Sequence, residues 1–268
     1  MDLNLIRKFE SLARRNQWRN AFWIPLITAL LVLLGWEALS YFSGLPAFIL
    51  PSPLLVWERF VRALADGSLL RHTSVTLAEV LLGLLAGTIF ATIIGYTIAK
   101  SRMFEQLVSP FVVASQAVPI AAIAPLLVIW FGPGLFSKVL ICGLIVFFPV
   151  LVNTVVGLRA VPRSLDELMH TLRASRWQVF RYLEIPSALP IFLSGLRIGA
   201  TLSIIGGVLG ELFAADNGLG FLISVARGQY DTALVFVAVF TLVALALTLY
   251  GIVILLEKHF LAWQEIKP

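Results

Sequence analysis

One cysteine, three histidines and a low density of charge rule out most chemistry before any motif is read. Cys142 has no partner for an internal disulfide, and His72, His170 and His259 are scattered near segment ends. No metal-ligand set and no nucleophile constellation can be assembled, so no catalytic and no metal-binding residue is expected. A Gly-x-x-x-x-Gly-Lys-Ser/Thr phosphate loop is also missing: the run from Gly132 to Lys138 has the wrong spacing. The chain therefore has no nucleotide-driven energy source of its own. Charged residues make up 13% of it and hydrophobic ones 59%, a balance that a soluble chain of this length does not carry.

What is present is apolar and comes in blocks. Six runs, at roughly 22–41, 75–99, 107–131, 139–158, 191–214 and 232–256, approach or exceed the length of about 20 residues needed to cross about 30 Å of hydrocarbon as a helix. They lack the two-residue alternation of a membrane barrel, and backbone groups cannot be left unpaired in lipid, so each is read as a helix. The expected fold is all-α, a polytopic membrane protein with six transmembrane helices. The first run is too long for a signal peptide, and Trp36-Glu37 stands where small residues would mark cleavage, so it is read as a retained span.

Basic residues set the orientation. With both termini in the cytoplasm, the inner segments hold Arg7, Lys8, Arg14, Arg15, Arg19, Lys100, Arg102, Arg159, Arg163, Arg173, Arg176, Arg181, Lys258 and Lys267. The outer ones hold Arg59, Arg62, Arg71, Lys138 and Arg227, and Arg197 lies within a span. The positive-inside rule favours that topology in a prokaryotic plasma (inner) membrane, and it accounts for the net charge of +5 without invoking nucleic acid. Residues 1–20 place Leu5, Phe9 and Leu12 on one helical face and are expected to form an interfacial helix on the cytoplasmic leaflet. Residues 21–268 form the membrane domain. Outside, Pro46, Pro51 and Pro53 precede an apolar spacing that suggests a short helix. Gly132-Pro133-Gly134 makes the turn between spans three and four.

The informative cytoplasmic segment is about 159–190. Ser164 with Glu167, and Ser175 with Gln178, have the spacing of capping boxes, which predicts helices over 165–172 and 176–185, the second ended by Pro186. Leu165, Leu168, Met169 and Leu172 form one apolar stripe on the first. A two-turn helix cannot hold itself in water, where about 12–15 residues are marginal. It must dock, either on the protein's own inner surface or on a separate protein.

Polar residues inside the spans are the other candidates. Ser115 and Gln116 sit beside the Pro119 break in span three, where a proline leaves a carbonyl to be satisfied by protein or water. They suit a translocation pathway or an interhelix hydrogen bond equally. Glu211 suits substrate binding, a gate or a packing contact, and Glu79 and Arg197 are similarly placed. Gly83, Gly87, Gly95, Gly195, Gly199, Gly206, Gly207 and Gly210 permit close helix approach.

At the cytoplasmic segment the sequence resembles a known family. Glu167-Leu-Met-His-Thr-Leu-Arg-Ala-Ser175, followed by Ile185-Pro-Ser-Ala-Leu-Pro190, is similar to the EAA loop of binding-protein-dependent ATP-binding cassette (ABC) permeases. Gln116-Ala-Val-Pro119, Ala124-Pro125, Trp130-Phe-Gly132, Phe147-Phe-Pro-Val-Leu-Val-Asn153 and Gly210-Glu211 resemble its nitrate, sulfonate and taurine branch. The resemblance implies a type I importer bundle that dimerises with a second copy in membrane lipid. It also implies cytoplasmic ABC ATPase subunits that carry ATP and Mg, and an external substrate-binding protein. Carried over, Glu167, Leu168, Met169 and His170 lie on the helix that couples to the ATPase, with Arg173, Ala174 and Ser175 in the following turn. Ser115, Gln116, Pro119 and Glu211 remain the pathway candidates. The family commonly has glycine where Arg173 stands, so the turn is either right-handed or strained. The loop form looks most like permeases for thiamine-precursor pyrimidines or riboflavin, with sulfonate, taurine or nitrate solutes as the alternative. Ion-coupled carriers, channels and intramembrane enzymes are the rival classes.

Overall fold

A computed structural model of the chain describes residues 3–262; the side chains of residues 3–22, 115 and 214 lie outside that description, as does Lys267. Helices α1 (Leu3–Phe42), α2 (Pro53–Ala65), α3 (Ser68–Lys100), α4 (Arg102–Ala117), α5 (Ile120–Phe131) and α6 (Leu135–Arg159) come first. Then follow α7 (Arg163–Thr171), α8 (Arg176–Val179), a π-helical turn (Phe180–Glu184), α9 (Ile185–Ala214), α10 (Leu219–Gly228) and α11 (Thr232–Phe260). No strand occurs among the described residues.

Five of these helical stretches are long and apolar enough to cross a membrane, and they coincide with five of the six expected runs. The remaining run, third in the chain, is α4 and α5 with a break at Val118-Pro119. Pro119 has no N–H to continue the ladder and sits at φ −63°, ψ 118°, the extended geometry of a helix cap. The short helix expected after the prolines is α2: Ser52 accepts from the Leu55 N–H at 3.3 Å and Pro53 occupies the first turn, where its missing N–H costs nothing. The amphipathic face expected before residue 20 lies outside the described residues.

The centre of the bundle is α6, packed between α3 and α9. Glycines make this possible. A Cβ on Gly87 of α3 would meet the Gly143 carbonyl at 2.6 Å, and one on Gly206 of α9 would meet Cys142 Cα at 2.7 Å. Gly83 and Gly95 of α3 and Gly195, Gly199 and Gly210 of α9 face α6 in the same way. Cys142 is thereby enclosed, its Sγ 3.6 Å from the Ser203 carbonyl.

Ion pairs fasten the helices along their length. Lys138 of α6 bonds Glu79 of α3 at 2.8 Å, with both side chains nearly inaccessible at 8% and 2%. Arg197 of α9 bonds Glu257 of α11, and Lys100 of α3 bonds Glu184, each at 2.5 Å. On the far side Arg59 of α2 meets Asp231 at 2.7 Å, while Asp231 also accepts from the Leu234 N–H and caps α11.

Three expectations are corrected. Lys138 is not a loop cation, because α6 begins at Leu135 and Glu79 draws the ammonium into the bundle. Pro186 does not end a helix at 185. The Ile185 N–H donates to the Phe180 carbonyl five residues back, and this wide turn admits the proline near the start of α9. Ser164 and Glu167 do not form a capping box. The carbonyl of Pro162 already accepts from the Leu165 N–H at 3.0 Å, so α7 begins before Ser164 can cap it.

Candidate functional site

Helix α7 buries none of its residues. Leu165, Leu168 and Leu172 of its apolar stripe are 43%, 52% and 68% exposed, and only Met169 is half-buried. Among the described residues nothing covers the stripe. Glu167 is exposed and forms no ion pair among the described residues, and His170 stands 4.0 Å from Asp166, at the limit of one.

The geometry of the segment is nevertheless set at its C-terminal end. At its C-terminus the Ala174 N–H reaches back to the Met169 carbonyl and the Arg173 N–H to that of His170, each at 3.0 Å. This is a Schellman closure, which needs one residue in the left-handed region, and Arg173 supplies it at φ 54°. Two residues on, Ser175 and Gln178 form a true capping box: Ser175 Oγ accepts from the Gln178 N–H, and Gln178 Oε1 accepts from the Ser175 N–H at 2.7 Å. An uncovered amphipathic helix is thus held at a fixed angle by backbone bonds instead of by packing.

The pathway candidates separate into two places. Gln116 and Pro119 are open on the surface of the subunit, together with Val113, Ala114, Ala117 and Val118; the side chain of Ser115 lies outside the described residues. Glu211 is elsewhere and 2% exposed. Its Oε1 accepts from Thr76 Oγ1 at 2.6 Å and its Oε2 from the Gly220 N–H at 2.5 Å. Thr76 Oγ1 in turn accepts from the Leu219 N–H, and His72 Nδ1 from the Gly218 N–H. These groups satisfy the free amides at the start of α10 and place a carboxylate where the helix dipole favours one. Gly218, at φ 113°, is required there because a Cβ would run into the Glu211 carboxyl.

Thr76, His72 and Lys138 were not singled out as site residues in the sequence. The signal that points to the first two is the turn spacing of His72, Thr76 and Glu79 along one face of α3, which presents three polar groups to the bundle interior; Lys138 has no such signal.

The family described as "Binding-protein-dependent transport system inner membrane component" matches residues 80–261. The riboflavin transport system permease protein of Chloroflexus aurantiacus is 48% identical, over 94% of this chain and 93% of its own. The formylaminopyrimidine transport permease protein of Halalkalibacterium halodurans is 34% identical, over 90% of this chain and 96% of its own. Among solved structures, an inward-facing form of the MetNI methionine ABC transporter aligns with TM-score 0.64 at 18% identity, over 73% of this chain and 97% of that one. The last shows a shared fold.

Proposed function

We propose that this chain, which belongs to the family of binding-protein-dependent transport system inner membrane components, carries a heteroaromatic solute inward using work done by a separate ATPase. The observation that carries the reading is α7: an apolar stripe held rigidly and left uncovered, on a chain with no phosphate loop. Its stripe is the docking face for the ATPase, with Glu167, Leu168, Met169 and His170 in contact and Arg173, Ala174 and Ser175 fixing the angle. ATP and Mg belong to that partner. An external binding protein delivers the solute.

Two copies of the chain enclose the pathway, because the open face of α4 and α5 around Gln116 and Pro119 is bare in one subunit. Ser115 lies on the same stretch. Both termini face the cytoplasm, as the basic residues favour. Riboflavin or a thiamine-precursor pyrimidine is the proposed solute, by likeness to the two permeases above.

The test is co-reconstitution with an ABC ATPase and an external binding protein of the same system. Uptake of labelled riboflavin or pyrimidine into ATP-loaded vesicles is expected, and deletion of Leu165–Leu172 should abolish it while the spans still insert. Uphill uptake by the permease alone would overturn the reading. Uptake of a sulfonate instead would move the solute class and leave the mechanism standing.

A further inference from the structure

An apolar crevice of about 550 Å³ opens on the side of the subunit, between α3 and the stretch from α8 into the π-helical turn. Thr92, Ile93 and Tyr96 of α3 form one wall, and Arg176, Trp177 and Phe180 the other. The aromatic rings meet at its floor: Tyr96 lies edge-on to Phe180 at 5.6 Å, and Trp177 is tilted against Phe180 at 5.5 Å. A second cavity shares Thr92, Tyr96 and Phe180 and continues from the first toward Leu158 and Phe192. The two share one wall, and the second lies between the end of α6 and the first turns of α9.

Depth fixes what this crevice meets. Thr92 to Tyr96 are one to two turns from Lys100, where α3 ends, so the wall sits at the boundary between hydrocarbon and headgroups. Trp177 is 66% exposed there, the position that tryptophan favours at a membrane interface. Arg176 is exposed at the rim and, unlike Lys100, which is bound to Glu184, forms no ion pair among the described residues. Arg173 and Arg181, in the same segment, form no ion pair among the described residues either. The carboxylate of Glu184, in the same segment, is engaged by Lys100 at 2.5 Å. A cation at the mouth of an apolar slot, with an aromatic floor, complements an amphiphile that has a negative head.

The geometry points to a binding site for one anionic phospholipid: the phosphate on Arg176, one acyl chain along Ile93, Tyr96 and Phe180 into the inner cavity. The site depends on the depth of these residues and not on how α7 engages a partner, so it can fail without disturbing the transport reading.

Native mass spectrometry of the permease released from nanodiscs of mixed phosphatidylglycerol and phosphatidylcholine reads the assignment directly. Wild type should retain phosphatidylglycerol in preference. Arg176→Ala should lower that preference by about fivefold, as expected for loss of one basic contact at a charged membrane surface. Arg181→Ala, whose side chain does not line the crevice, should not. Ile93→Trp, which fills the slot, should reduce retention of both lipids. Equal retention of phosphatidylglycerol by wild type and Arg176→Ala, or no preference in wild type, would overturn the site. So would displacement by excess inorganic phosphate, which would assign Arg176 to a soluble anion.

Discussion

The buried Glu79–Lys138 pair shows how much a single contact can matter in this bundle. Both groups lie out of reach of water, so removing one leaves the other as an uncompensated buried charge. Lys138→Met should lower stability by about 3–5 kcal/mol, and Glu79→Gln with Lys138→Met should recover most of it. Thermal unfolding in detergent checks both. Arg173 is the opposite case. Its left-handed backbone carries strain of about 1–2 kcal/mol that glycine would remove, so Arg173→Gly should raise the melting temperature. If the guanidinium also contacts the ATPase, coupled hydrolysis should fall in the same variant. The turn at Arg173 was legible because the resemblance marks a glycine position there; Tyr230, equally left-handed at φ 57°, gave no such sign. Nor did the pairing of Lys138 with Glu79, 59 residues apart in the chain, since nothing local joins them.

At the scale of elements, the apolar runs gave the spans because hydrocarbon thickness imposes their length, and Pro119 gave the break in the third. Helix α10 escaped notice: its ten residues are too few for a run, and its start is fixed by His72, Thr76 and Glu211 from distant elements. The continuous entry into α9 also escaped, because the π-helical turn that admits Pro186 has no sequence signature. Glycines expected only to ease packing prove specific in direction, nearly all facing α6. Gly87→Ala should therefore destabilise by about 1–3 kcal/mol through overpacking. Gly251→Ala, where a Cβ meets nothing within 4 Å, should instead stabilise by about 0.5–1 kcal/mol. Melting curves of the two variants should shift in opposite directions.

For the whole molecule, the enclosed Cys142 leaves the natural chain without an accessible thiol among the described residues. Gln116→Cys should then cross-link two copies through a short bismaleimide while wild type stays uncross-linked, as seen on denaturing gels. Absence of the cross-linked band would argue against the paired subunits proposed above. Helices α3, α6 and α9 interlock through backbone-close contacts, whereas the Trp23–Phe42 part of α1 is nearly bare and α7 buries nothing. Because α9 is continuous with the loop that follows α7, a push delivered there reaches a stiff three-helix spar at its near end. If α7 does receive that push, as proposed above, a spar of this build is expected to tilt as one piece, like a lever, carrying the displacement from one membrane face to the other without any helix being rebuilt.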